Sequence, residues 1–147
     1  MTTKRSFRDY RLLLWVFLLQ LAMAFALRVV RWPTLRRAMP VVRPQVVRAL
    51  GAVSETEFLW ALEASARRLP RVRVSSCLVR ALVTELVLDS RDDPVRVTVG
   101  VRRVASRLEG HAWVERGGRV IVGEALSGAT SVRSSFVPHF FCQTTIR

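Results

Sequence analysis

Leu12 to Leu27 reads LLLWVFLLQLAMAFAL, and Gln20 is its only polar residue. A helix built from this run is apolar nearly all round, so it has to be covered on most of its sides. Three burials meet that demand. The run can pack as a long helix on the rest of the chain, touching a membrane surface through its basic flanks. It can cross a bilayer if Arg28 snorkels and Val29 and Val30 extend it towards the roughly 20 residues a span needs. It can also act as an export signal, with small residues at Ala22, Ala24 and Ala26, although Arg28, Arg31, Arg36 and Arg37 just beyond would hinder export.

The charge around this run is lopsided. The first 53 residues hold ten basic side chains and one acid, Asp9, within a chain of 147 residues and formal charge +13. Lys4 is the only lysine among 24 basic residues, a bias that arginine-rich codon usage gives without functional demand. A positive field also raises the local concentration of acidic peptides or anionic membranes. No interleaved aromatic and basic motif accompanies it, so nucleic acid is not an expected partner. The length suits a single domain, residues 1–147, with a basic helical part over 1–70 and a second part over 71–147. Cys77 and Cys142 are the only cysteines. They make no disulfide framework, although one bridge stays open, and a reduced, cytoplasmic compartment fits better.

Pro33, Pro40 and Pro44 predict short helical pieces after the apolar run, not one rod. Ser54-Glu55-Thr56-Glu57 has the form of a capping box and starts a helix with Phe58, Leu59, Leu62, Ala66 and Leu69 along its apolar stripe, closed by Pro70. Ser75-Ser76-Cys77 then leads into LVRALVTELVL, whose Leu78, Ala81, Leu82 and Leu86 keep helical spacing. Cys77 falls in the first turn, capped by Ser75 or Ser76. Beyond a turn at Asp92-Asp93-Pro94, Val95, Val97, Val99 and Val101 alternate with Arg96, Thr98, Gly100 and Arg102 as a half-buried strand. Two further strands, Gly110 to Arg116 and Arg119 to Glu124, flank Gly117-Gly118, a pair suited to the positive φ angles of a tight hairpin.

The chemistry suggested by this layout is nucleophilic. Unpaired amide groups at a helix N-terminus favour thiolate over thiol, and the thiolate is the attacking form. Cys77 is equally readable as a small buried hydrophobe until a partner base is found. His111, 34 residues downstream, is the candidate. If Gly117-Gly118 is a two-residue loop, opposite residues of the hairpin sum to 235, so that Trp113 faces Val122 and His111 faces Glu124. Such cross-strand neighbours lie about 5 Å apart, close enough for a carboxylate to hold one imidazole nitrogen while the other serves the thiol. A bulge or longer loop would shift the register and remove Glu124. His139 and Cys142 supply two potential metal ligands, too few for a zinc site, and neither a metal nor a cofactor is expected.

The segments SSCLVRALVTELVL, VGVRR and GHAWVERGGRVIVGE resemble the lasso-peptide biosynthesis B proteins in their free-standing leader-peptidase form, within the transglutaminase-like superfamily. The resemblance covers roughly Pro70 to Glu124. It implies an α+β fold, in which a helical N-terminal half precedes a papain/transglutaminase-like core with the nucleophile on a helix packed against an antiparallel sheet. It also implies Cys77 as nucleophile and His111 as base. The family's third member is usually an aspartate, whereas this chain has Val122-Gly123-Glu124. The implied activity is that of a cysteine peptidase removing the leader of a ribosomally made precursor, with a separate leader-recognition protein and a separate macrolactam cyclase as partners. Two other readings stay open: acyl transfer to an amine by the same site, and a non-enzymatic basic protein at a membrane surface.

Overall fold

A computed structural model describes residues 6–68, 77–104, 107–123 and 130–133. Four helices precede a four-stranded antiparallel sheet: α1 (Phe7–Val29), α2 (Trp32–Leu50), α3 (Glu55–Ala66), α4 (Cys77–Leu88), β1 (Val95–Val104), β2 (Arg107–Arg116), β3 (Arg119–Val122) and β4 (Thr130–Arg133). The spatial order of the strands is β3-β2-β1-β4. The α+β architecture and the helix packed on the sheet agree with the sequence. The outermost strand β4, short and distant in sequence from its partner β1, was not foreseen.

Capping chemistry sets the helix starts. Ser6 accepts from the amide of Arg8 while Asp9 reaches back to the Ser6 amide, and Ser54 and Glu57 do the same at α3. The α3 box is the one expected; of its stripe Phe58 and Leu62 are buried and Leu59 and Ala66 half-buried, while Ala61, outside the stripe, is buried as well. Leu69, Pro70, Ser75 and Ser76 lie outside the described residues.

The apolar run becomes α1, and it is covered on one side. Leu12, Val16, Gln20, Met23 and Ala24 recur at helical spacing and are buried against α3 and α4. Gln20 is fully buried. Its amide donates to Ser65 Oγ and to the Leu62 carbonyl, and Ser65 Oγ donates to the same carbonyl at 3.0 Å. The only polar residue of the run therefore fixes how α1 sits on α3.

The prolines do not break α2, contrary to the expectation of short pieces. Pro33 occupies the first turn, where an amide donor is not needed. Pro40 and Pro44 remove the donors to the carbonyls of Arg36 and Pro40, but both rings are on the exposed side. The opposite side is anchored: Leu35, Met39 and Leu50 are buried, and two ion pairs tie the helix to α4. Arg36 holds the Glu85 carboxylate with both terminal nitrogens, and Arg43 meets Asp89 at 3.0 Å. Tertiary attachment outweighs the local penalty.

One apolar cluster joins all four helices to the sheet, through residues such as Val16, Leu35, Phe58, Leu82, Val97 and Val114. The basic helical part and the following part thus share a core. Two outcomes follow. Gln20→Ala, which loses a buried amide and leaves a cavity, should cost about 2–4 kcal/mol in chemical denaturation. Glu57 is held below the ordinary carboxylate range by its bonds to the Ser54 amide and hydroxyl. A carboxylate depressed on folding gives stability that is present above its unfolded value and lost as pH falls through its folded one. Glu57→Gln should therefore flatten the acid limb of a melting-temperature profile relative to the unsubstituted protein.

Candidate functional site

Cys77 is the first residue of α4, and the helix behind it is buried at Leu78, Val79, Ala81, Leu82, Val83, Thr84 and Leu86. With seven of twelve residues covered, on more than one side, α4 is the inner helix, lying between the sheet and the other helices. Its thiol is free, half-buried and packed at the margin of the core cluster. One turn on, Arg80 makes an ion pair with Glu63 of α3, so that its guanidinium is engaged by the scaffold.

The far end of α4 is tied to the sheet. The Leu88 carbonyl accepts from Arg116 at 2.6 Å, and Asp89 accepts from the Val95 amide at 3.0 Å. Ser90 and Asp93 bond each other across the tight turn between helix and strand. Arg116, which also meets Glu55 and Asp93, pairs with Val95. The chain therefore leaves α4, reverses into β1, and reverses again into β2, which makes β2 run in the same direction as α4. From Leu88 back to Cys77 is eleven residues of helix, about 16 Å. From Arg116 back to His111 is five residues of strand, about 17 Å. Cys77 and His111 are thus separated from that tied end by similar lengths of helix and of strand.

Strand alternation assigns the faces. Ala112 and Val114, paired with Val99 and Val97, are buried in the core cluster beneath α4. His111, Trp113 and Glu115, paired with Gly100, Thr98 and Arg96, belong to the other face. Trp113 is buried yet stands outside the core cluster, and its indole donates to Glu115 at 2.6 Å. It is a wall of the reverse face, with Glu115 as its acceptor. His111 is half-buried, and its partner Gly100 puts no β1 side chain beside the imidazole. Gly110 precedes His111 and leaves the next position towards α4 without a side chain. Neither glycine stood out in the sequence; only the β1–β2 register gives them meaning.

The β2–β3 hairpin both meets and departs from expectation. Gly117 and Gly118 have φ of 55° and 78°, as a two-residue loop requires, and Arg116 faces Arg119 and Glu115 faces Val120. The next pair is Val114 with Val122, not Trp113 with Val122. Ile121 is an extra residue on β3, and this bulge advances the register by one. The count that set Glu124 directly opposite His111 therefore does not extend past Val120. Gly123 follows with φ of 81°, and a Cβ there would meet the Ala112 carbonyl at 3.0 Å and Trp113 Cβ at 3.2 Å. The position demands glycine for its backbone angle and for its close approach to β2. Glu124, His139 and Cys142 lie outside the described residues.

Cys77 thus begins α4, and His111 lies on the face of β2 opposite the one that Ala112 and Val114 turn towards that helix. No curated protein and no solved structure matches this chain. A family model described as the transglutaminase-like superfamily matches residues 17–137, which begins within α1 and so includes the helices as well as the sheet. This superfamily comprises cysteine peptidases and acyl transferases, and the chain belongs to it.

Proposed function

We propose that this protein is a cysteine peptidase that removes the leader peptide from a ribosomally synthesised lasso-peptide precursor. The reading is supported by membership of the transglutaminase-like superfamily, with Cys77 as the first residue of the buried helix α4 and His111 on the neighbouring strand β2. Strand alternation sets His111 on the face of β2 opposite Ala112 and Val114, so in this reading the imidazole has to reach the thiol past Gly110, which carries no side chain. The quoted likeness of the Cys77 and His111 segments to the lasso-peptide B proteins supplies the substrate class.

In this reading Cys77 passes its proton to His111, and the sulfur bonds to the scissile carbonyl carbon while the carbonyl electron pair moves to oxygen. The Cys77 amide and other first-turn amides of α4 are suitable donors to that oxyanion. Collapse breaks the C–N bond; the core's amine leaves with the proton held by His111, and the leader stays on sulfur as a thioester. Water then attacks the thioester, giving its proton to His111, and the sulfur departs as thiolate. The freed amine is what a separate cyclase needs for macrolactam closure, and a separate recognition protein presents the leader.

Glu124 is the proposed orienter of His111. Its support is now the position of Gly123, packed on Ala112 and Trp113, with Glu124 next in the chain.

The test combines the protein with a candidate precursor and its recognition partner and follows leader release by mass spectrometry. Cys77→Ala should lower the rate at least about a thousandfold with melting unchanged; cleavage at an undiminished rate removes the proposal. A product carrying the leader on an added amine, instead of a free carboxylate, would make the site an acyl transferase. Glu124→Gln should lower kcat about a hundredfold or more while leaving the fold intact, and an unchanged kcat would leave the Cys77–His111 pair without this third member.

A further inference from the structure

The side of α1 turned away from α3 and α4 is apolar and open. Phe7, Leu14, Leu18, Leu21, Phe25 and Val29 recur at intervals of three, four or seven residues along one exposed stripe, about 33 Å from end to end. Phe7 is 85% exposed, Phe25 66% and Leu14 57%. Contiguous apolar surface of this kind marks an interaction site. Arginines bracket it: Arg11 and Arg28 stand within the same exposed sector near its two ends, with no charge between them. Arg31, Arg37 and Arg48 are exposed on or beside the neighbouring helix α2, and all five make no ion pair among the described residues. From residue 6 to 53 the sole acid is Asp9, which is taken up in capping α1.

We infer that this stripe docks the protein on an anionic lipid surface, with α1 lying in the plane of the headgroups and its apolar side chains entering the acyl boundary. The helix is long and apolar enough to cross a bilayer, with a mean hydropathy of 2.2 over its best window. Spanning would require lipid on every side, however, and one side is held by α3 through Gln20 and Ser65. Lying flat satisfies both faces, the protein covering one and lipid the other. The arginines choose among occupants. A second copy brought stripe to stripe would set Arg11 or Arg28 against another arginine in either orientation, whereas acidic headgroups neutralise each of them.

The test is flotation of the full chain with vesicles of phosphatidylcholine alone or containing about one third phosphatidylglycerol. The protein should float with the anionic vesicles, and its affinity should fall as salt rises. Leu18→Glu with Phe25→Glu should weaken binding at least about tenfold with an unchanged melting temperature. Arg11→Glu with Arg28→Glu, which leaves the apolar stripe intact, should abolish the preference for anionic over neutral vesicles. Trp15, 41% exposed at the stripe's edge, should report directly: Trp15→Phe should diminish the emission blue shift that anionic vesicles induce. The inference is overturned if the unsubstituted protein stays with the unbound fraction. It is overturned equally if the charge-reversed protein keeps the anionic preference, or if light scattering shows a dimer that Leu18→Glu with Phe25→Glu dissolves while vesicles bind neither form. Leader cleavage in solution is a separate readout, so either proposal can fail alone.

Discussion

The burial of α4 is the constraint on which the rest of the structure depends. Its sequence, CLVRALVTELVL, offers Arg80, Thr84 and Glu85 as its only polar side chains. Thr84 returns its hydroxyl to the Arg80 carbonyl, Glu85 takes Arg36 of α2, and Arg80 takes Glu63 of α3. Each polar group on the helix is thereby used as an attachment to another element or to its own backbone, and the apolar remainder is shared between the sheet and α1. An isolated twelve-residue helix is marginal in water. Here its neighbours hold it from several sides, and Cys77, its first residue, stands on that platform.

That platform extends to the sheet. Arg116, Asp89 and the Ser90–Asp93 turn fix the end of α4 against the start of β1 and the end of β2. On the third strand the bulge at Ile121 and the tight seat of Gly123 take over from regular pairing. Bulges recur beside active sites because one extra residue re-aims everything that follows.

The parts legible in the sequence were those decided within a few residues. Ser54 and Glu57 announce a helix start because the capping bonds are local, and Gly117-Gly118 announces a turn because the required φ angles exclude most other residues. The alternating valines of β1 are equally local. The α2 prolines were misleading because the compensation lies 46 to 49 residues away in the Arg43–Asp89 and Arg36–Glu85 pairs. The register beyond Val120 was misleading for a related reason: a bulge leaves the count of residues unchanged while altering which of them are opposite. The shared face of His111 and Trp113 was correctly read from period two, but which face α4 covers depended on the burial of Ala112 and Val114.

The apolar run that most constrained the fold also shows why composition could not resolve its fate. Both sides of α1 are apolar, so no periodicity separates the half that meets protein from the half that does not. Gln20 breaks the symmetry, because its buried NH2 needs acceptors and Ser65 and Leu62 of α3 provide them. Removal of the run as an export signal, at the small residues Ala22 to Ala26, would take Leu12, Val16 and Gln20 out of the core. It would uncover Phe58, Leu62 and Ser65, all of which are essentially fully buried. Exposing three such residues and a broken hydrogen-bond pair costs a large fraction of the marginal stability of a domain this size. The packing of α1 therefore makes it part of the domain's core, and the family match begins inside it, at residue 17.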